Sequence, residues 1–189
     1  NSLREYLVAD AIAQTLKNGS SSNELRAAYI SDATAEFFSD ITEYDEDLKR
    51  LLRESYRQVQ DLSEKAHLFS LIFSLIDKDA SNLSLLGNPP DLSGIDLSGF
   101  DMSGLKLRSA DFTNSILPDT DLRRCNLKSA NFDHSVLDGT MFDGSDLGSA
   151  DLSKSEIDSI FVYDEFENET TCILKGQAAR QWFFSKGAF

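Results

Sequence analysis

The feature that most constrains the fold is an apolar residue at every fifth position from residue 92 to residue 157, without a miss. At the chain's hydrophobic fraction of 41%, chance would produce such a run about once in several hundred thousand trials. A period of five fits neither a helix nor a flat strand, so the chain must turn a corner every five residues. The series is Leu92, Leu97, Met102, Leu107, Phe112, Leu117, Leu122, Leu127, Phe132, Leu137, Phe142, Leu147, Leu152 and Ile157.

A second series, two residues before the first, consists mostly of small residues. The sequence is also similar to itself at a distance of twenty residues, so four sides close one coil and the next coil lies above it. Stacking at about 4.8 Å per coil gives a rigid stub about 17 Å tall. It predicts two inner ladders, one of Phe112, Phe132 and Leu152 and one of Met102, Leu122, Phe142 and Val162. The small series is Ala110, Ser115, Thr120, Cys125, Ala130, Ser135, Thr140, Ser145, Ala150 and Ser155.

Residues 1–88 show helical periodicity instead and predict a helical subdomain of about four helices. In the first helix, Leu3, Leu7 and Ala11, together with Val8, Ile12 and Leu16, form one broad apolar stripe. Ser31 or Asp32 is expected to cap the second helix. The third helix runs from about Glu43, and the fourth begins near Ser63 and is apolar nearly all round. The expected apolar face of the third helix is Leu48, Leu51, Leu52, Val59 and Leu62.

Gly87-Asn88-Pro89-Pro90 marks the boundary, which divides the chain into a helical subdomain (1–88), a coil of five-residue repeats (89–162) and a C-terminal cap (163–189). The bulky residues Ile95, Phe100 and Leu105 replace small ones in the first coil, and we expect the fourth helix to dock on them. In the cap, Thr171 to Leu174 predicts a strand. Gly176 to Lys186 predicts an amphipathic helix with Ala178, Trp182 and Phe183 on one side. The apolar ending Gly187-Ala188-Phe189 is typical of a cut within a longer protein.

The stretches ADFTN, CNLKS, ANFDH, SDLGS and ADLSK resemble the pentapeptide-repeat family, and the resemblance covers residues 90 to about 162. It implies a right-handed quadrilateral β-helix. Together with the helices expected in residues 1–88, the prediction is an α+β protein in which a helical subdomain caps this short β-helix. The resemblance also implies a non-enzymatic protein with no catalytic residues. Lys106, Ile116, Val136 and Met141 depart from the family's usual Asp or Asn. Of these, Ile116, Val136 and Met141 face outward and are candidate partner-binding residues, although such exposed apolar residues more often reflect minor repacking than a binding site.

The stretch SLREYLVADAIA resembles the helical segment that follows the ATPase core in NACHT-type STAND proteins. The matching residues are Ser2, Leu3, Glu5, Tyr6 and Leu7. This resemblance implies that the chain is the C-terminal part of a larger signalling NTPase, whose nucleotide site is not in this sequence.

The net charge, the hydropathy and the cysteines limit which partners and which compartment are expected. The formal net charge is -14, which disfavours direct contact with a phosphate backbone. No apolar run reaches the roughly 18 residues of a membrane span. Cys125 and Cys172 are too few for a disulfide framework, which predicts reduced thiols in a cytoplasmic protein.

Few residues are candidates for metal binding, phosphate binding or catalysis. His67 and His134 lack a Cys or His partner at ligand spacing, so we predict no metal and no cofactor. Glycines such as Gly99 and Gly139 lie at corners and form no P-loop. The corner carboxylates are expected to bond their own backbone instead of acting as acids or bases.

The sequence therefore predicts a non-enzymatic interaction module with a protein partner and no small-molecule substrate. Two alternatives remain open: a DNA-mimicking inhibitor of an enzyme such as a topoisomerase, and a bacterial effector that acts in a host cell. The net charge agrees with mimicry, whereas a stub of about 17 Å covers only about five base-pair steps.

Overall fold

The computed structural model describes residues 2–18, 30–163 and 171–188. They fall into two compact units, Asn1–Gly87 and Asn88–Phe189. The first unit contains α1 (Ser2–Lys17), α2 (Asp32–Thr42), α3 (Glu46–Gln58), α4 (Leu62–Lys78) and a 3₁₀ helix (Ala80–Leu86). The second contains the repeats, β1 (Thr140–Met141), β2 (Ser159–Tyr163), β3 (Thr171–Lys175) and α5 (Gln177–Ser185).

Side-chain caps decide where the helices of the first unit begin. Ser31, Asp45 and Asp61 each accept a hydrogen bond from a backbone N–H of the first turn of α2, α3 and α4, respectively. Such caps satisfy amide groups that have no partner within the helix. The predicted start of α2 at Ser31 is confirmed. The expected start of α3 at Glu43 is wrong, because the Asp45 carboxylate caps Leu48 at 2.9 Å and α2 ends at Thr42.

The buried face of α1 is narrower than the predicted stripe. Ile12 and Leu16 are buried, and the alanines Ala9 and Ala13 are buried beside them. Leu3, Leu7 and Ala11 lie exposed, Leu7 by 57%. The small alanines allow close packing of α1 on α2, which turns the row of Leu3, Leu7 and Ala11 away from the core.

The core of α3 and α4 also differs in part from the expectation. Leu48 and Leu52 of α3 are buried as predicted, but Tyr56 completes this face. Val59 ends α3, and Leu62 begins α4 with 58% of its surface exposed. In α4, Leu68, Phe69, Leu71, Ile72, Leu75 and Ile76 are buried, which agrees with a helix that is apolar on most sides.

The repeats of the second unit form a solenoid that rises by one layer every twenty residues. Parallel bridges join residues twenty apart, such as Asp111 with Asn131 and Ile116 with Val136. The amide of Phe112 donates to the carbonyl of Asn131 at 2.7 Å, and the amide of Asn131 donates to Ala110 at 2.9 Å. The predicted stacked coil is confirmed. Its right hand and its capping by the helical unit stay predictions.

Both inward series are buried in the solenoid. All fourteen residues of the five-residue apolar series are at most 7% exposed. The small series is buried as well except for Ser145, which is half-buried. Its hydroxyls bond carbonyls inside the coil: Ser135 Oγ donates to Phe132 O at 2.7 Å, and Thr140 Oγ1 donates to Leu117 O at 2.8 Å. A buried hydroxyl without such a partner would destabilise the fold.

Each corner from Gly94 to Ser149 has one residue with positive φ, for example 69° at Gly94 and 60° at Ser149. Only some of these residues are glycines, and Arg124 and His134 also adopt this conformation. Side-chain oxygens support the turns, since Asp96 Oδ1 accepts the amide of Ser98 at 3.0 Å. The predicted local role of the corner carboxylates and amides is therefore confirmed. The same bond is made by Asp91, Asp101, Asp111, Asp121, Asn126, Asn131, Asp146 and Asp151.

A small sheet and α5 follow the last coil. β2 pairs in parallel with β1, and β3 pairs antiparallel with β2. The ring of Phe183 in α5 lies edge-on to Phe142 of the solenoid, with centroids 5.1 Å apart. Arg180 donates to the carbonyl of Ser155 at 3.1 Å. The predicted Ala178 is exposed, and Ala179 is buried instead, because Ala179 and Phe183 are four residues apart on one helix face.

Candidate functional site

Two opposite sides of the four-sided coil differ in charge. We call residues 95–99, 115–119, 135–139 and 155–159 the acidic face, since these segments form one side of successive coils. This face contains no Lys, Arg or His, and its carboxylates are Asp96, Asp119, Asp138, Glu156 and Asp158. The basic face consists of residues 105–109, 125–129 and 145–149, with Lys106, Arg108 and Lys128 against the single carboxylate of Asp146.

An apolar pair interrupts the acidic face. The structure places Ile116 and Val136 in one ladder, joined by a parallel bridge. The Ile116 amide donates to Ile95 O at 3.0 Å, and the Val136 amide donates to Ser115 O at 3.0 Å, so the backbone of both residues is held within the stack. Ile116 is 43% exposed and Val136 is half-buried. An apolar pair on a rigid backbone is a preformed contact surface.

Carboxylates enclose this pair along its ladder. Asp96 precedes Ile116 by one layer, and Glu156 follows Val136 by one layer. Both acids are exposed. Pro118, next to Ile116 on the same side, is half-buried and has no amide hydrogen to donate. The face thus presents an apolar centre between negatively charged ends.

Met141 does not join this pair. It lies in the neighbouring ladder, between Asp121 and Phe161. Its side chain is half-buried. The three residues that the sequence singled out are therefore divided between two faces of the coil.

Asp121 is the most buried carboxylate of the repeats that the structure describes, with 6% exposure. Burial disfavours its charge, but the Arg123 guanidinium and the Arg123 amide bond it and hold the pKa of Asp121 below its ordinary value. Arg123 Nε lies 2.9 Å from each carboxylate oxygen. Arg123 thus satisfies the hydrogen-bonding capacity of the buried Asp121 carboxylate, so the role of this ion pair is structural.

The two histidines belong to different units of the chain. His134 occupies an exposed corner with φ 57°, where its Nε2 is 3.9 Å from the Asp133 carboxylate. His67 is half-buried in α4, and its Nδ1 has no hydrogen-bond partner. In residues 2–18, 30–163 and 171–188, no group of three His, Cys, Asp or Glu side chains has a metal-binding arrangement.

Cys125 is a core residue of the coil. It is 2% exposed, and its Sγ lies 3.1 Å from Met102 O, to which the thiol donates. Burial raises the pKa of the Cys125 thiol to about 11. A thiol that stays protonated is a poor nucleophile. The side chain of Cys172 lies outside the described residues.

A cavity of about 210 Å³ lies beside α5 at the end of the solenoid. Its walls are largely apolar and include Ile157, Phe183 and Phe184, with Arg180 and Ser153 as the polar members. The lining contains no pair of groups suited to acid and base catalysis. None of the helices in the described ranges is both long and apolar enough to cross a bilayer.

Comparison with known proteins supports the identity of the repeats. Residues 91–128 and 120–156 match the family model of pentapeptide repeats, in eight copies. Among curated proteins, none matches the chain. Proteins with pentapeptide repeats are generally non-enzymatic structural or interaction proteins.

Two solved structures are similar over part of the chain. A pentapeptide repeat protein from the thylakoid lumen of Arabidopsis thaliana is 21% identical, with a TM-score of 0.38, and the match covers 40% of this chain and 52% of that protein. HetL, a pentapeptide repeat protein involved in heterocyst differentiation regulation in the cyanobacterium Nostoc sp. strain PCC 7120, is also 21% identical, with a TM-score of 0.32 and coverages of 39% and 45%. The chain thus spans about half the length of each.

The sequence missed the difference in charge between opposite faces. Along the chain the acidic residues are spread evenly, so a linear count of charges hides this difference. A count over residues that share a position in the twenty-residue repeat would have revealed it, since that period assigns each outward residue to a side.

Proposed function

We propose that this chain is a non-enzymatic, cytoplasmic protein-interaction module that binds a protein partner through the acidic face. The ladder pair of exposed Ile116 and half-buried Val136 carries this proposal. Most equivalent positions hold Asp or Asn, whose side chains bond the corner backbone, and an isoleucine or valine there gives up that bond. Covering this partly exposed apolar pair with a partner would remove apolar surface from water, which favours binding.

The test of this proposal is site-specific photo-crosslinking in the source cells. A benzophenone amino acid replaces Ile116 in the natural protein, and the crosslinked protein is identified and purified. Binding of that protein is then measured with the wild-type chain and with Ile116→Asp. We expect loss of binding in Ile116→Asp and no crosslink from Ser109, an exposed corner of the basic face. Equal binding by both chains would refute the proposal.

We further propose that the module is the C-terminal part of a NACHT or STAND signalling NTPase. Two observations on α1 support this. Leu3 and Leu7 lie within the stretch that resembles NACHT-type proteins. They are exposed by 72% and 57% and form an apolar row on which another domain could pack. Glu5 accepts a hydrogen bond from Ser31 Oγ at 2.9 Å, so it ties the stretch to the cap of α2.

This second proposal is tested by the size of the native protein. An antibody against the repeats precipitates it from source cells, and its mass and ATP binding are measured. A protein much heavier than 21.0 kDa that binds ATP is expected. A protein of about that mass without ATP binding would exclude the NTPase and leave the interaction module intact.

The charge distribution does not favour DNA mimicry, the alternative function. A duplex is negative on every side, whereas the basic face of this coil has three cations and one carboxylate. A supercoiling assay with a type II topoisomerase should therefore show no inhibition at stoichiometric amounts.

A further inference from the structure

We infer that the partner presents a cationic segment with apolar side chains to the acidic face. This inference rests on the proposed function and specifies the chemistry of the partner. It starts from the five carboxylates of the face, Asp96, Asp119, Asp138, Glu156 and Asp158. Among the residues that the structure describes, none of the five has a Lys, Arg or His nitrogen within 4.0 Å.

Ion pairs elsewhere in the solenoid show how other carboxylates are neutralised. Lys128 Nζ lies 3.0 Å from Asp146, and Lys154 Nζ lies 3.0 Å from Asp133. Arg123 pairs with the buried Asp121. Within the part of the chain that the structure describes, the acidic face has no such intramolecular cation, and we take its charge to be available to a partner.

The position of the charges relative to Ile116 and Val136 determines what fits. Asp96 and Glu156 lie at the two ends of the apolar pair, one layer away on either side. At about 4.8 Å per layer, the four side chains extend over about 14 Å. In an extended segment every second side chain points to the same face. A segment with two apolar side chains at the centre of that face and a cationic side chain on either side of them places apolar groups on the pair and cations near the two acids.

Electrostatics excludes the opposite chemistry. An acidic peptide or a nucleic acid would bring like charges together on a face without a cation, which costs binding energy and slows association. The ladder is already ordered by backbone hydrogen bonds, so the surface itself loses little conformational entropy on binding.

The inference is tested by NMR titration of the ¹⁵N-labelled chain with three short synthetic peptides. In the first, one strand face carries two central leucines with a lysine on either side, and the residues between them are serines; in the second, the lysines are replaced by serine; in the third, they are replaced by glutamate. We expect the lysine peptide to shift amide signals of the acidic face. The glutamate peptide should leave them unchanged, and the serine peptide should bind more weakly.

Two double variants separate a specific charge effect from general attraction. Asp96→Asn with Glu156→Gln removes charge from the acidic face, and an asparagine at position 96 still accepts the Ser98 amide. Asp111→Asn with Asp151→Asn is the matched control, because both residues make the same type of corner bond on another face. We expect the first pair to weaken binding of the lysine peptide about two- to ten-fold and the control to leave it unchanged.

Other outcomes overturn the inference. Equal binding of the serine peptide would show an apolar site that is indifferent to charge; the crosslinking result at Ile116 would then still decide the proposed function. Equal weakening by the control variant, shifts on another face, or no binding would each reject a cationic segment. A dimer in sedimentation that is lost in Asp96→Asn with Glu156→Gln would instead identify a second copy, through its basic face, as the partner.

Discussion

The rings of Phe112 and Phe132 lie parallel inside the solenoid, 4° apart, with their centroids separated by 4.6 Å. These residues are twenty apart in sequence and occupy the same position in successive coils. The centroid distance matches the spacing of neighbouring strands, about 4.7–4.9 Å. The spacing of the layers thus places the rings in contact, and Phe142 adds an edge-on contact to Phe132 at 6.0 Å.

Truncation of Phe132 tests the energy of this ladder. We expect Phe132→Ala to lower the free energy of unfolding by about 3–5 kcal/mol, because it opens a cavity between two layers. Phe132→Leu should cost clearly less, since Leu152 occupies the same position one coil later and is buried. Urea denaturation measures both. Equal losses would show that the ring contact, and not the filled volume, determines stability here.

Two adjacent phenylalanines of α5 differ in burial and can be compared directly. Phe183 is 3% exposed and packs on Phe142, whereas Phe184 is 64% exposed. We expect Phe183→Ala to cost about 3–5 kcal/mol of unfolding free energy and Phe184→Ala to change it by about 0.5 kcal/mol or less. Both are measured by urea denaturation. A comparable loss in Phe184→Ala would mean that the exposed ring also supports the fold.

The corner conformation can be tested at two glycines. Gly99 has φ +73° and no atom within 4 Å of an added Cβ, so Gly99→Ala adds backbone strain without a clash. We expect it to cost about 1–2 kcal/mol. Gly148 lacks a positive φ, and its added Cβ would meet atoms no closer than 3.4 Å. Gly148→Ala should therefore leave stability unchanged or raise it slightly. The reverse order in thermal denaturation would contradict the assigned role of the corners.

The buried thiol of Cys125 predicts a loss of stability at alkaline pH. Burial raises its pKa in the folded state from the ordinary value of 9.0 to about 11, so the unfolded chain releases the proton first. The contribution is present below pH 9 and is lost progressively as the pH rises toward 11. We expect the stability of a Cys172→Ser chain to fall in this range, with slow alkylation of Cys125 at pH about 8 until urea is added.

The control replaces the thiol by a side chain that the coil already accepts. Ala110 and Ala130 are buried at the equivalent inward position of other repeats. Cys125→Ala in the same Cys172→Ser background should show a smaller alkaline loss. If both chains lose stability equally between pH 9 and 11, the thiol is not the cause.

Much of the repeat region could be predicted from the sequence. The five-residue period identified Leu92 through Ile157 as inward residues, and the twenty-residue similarity placed Ile116 above Val136. These predictions succeeded because each inward side chain meets its counterpart in the next coil, so local pattern and tertiary contact obey one period. The capping residue Ser31 could also be predicted from the sequence, since its bond to the Thr34 amide is local.

Other features depended on packing between distant segments. The stripe of α1 included Leu3 and Leu7, but only contacts with α2 select which apolar row is buried. The buried alanine of α5 is Ala179 and not Ala178, because the contact of Phe183 with Phe142 sets the rotation of a helix of nine residues. A short helix with apolar residues on several sides has no rotation that its own sequence prefers strongly.

The coil, its core and its corners follow from the order of residues alone, since a side chain that recurs every fifth residue can be buried only in a chain that turns at the same interval. How the outward charges are shared among the faces depends instead on the stacking of the coils. Asp96, Asp119 and Glu156 lie far apart along the chain and become one surface when four layers of the coil stack. Electrostatic potential depends on distances in space, so a face of one sign arises from a sequence whose charges look evenly mixed.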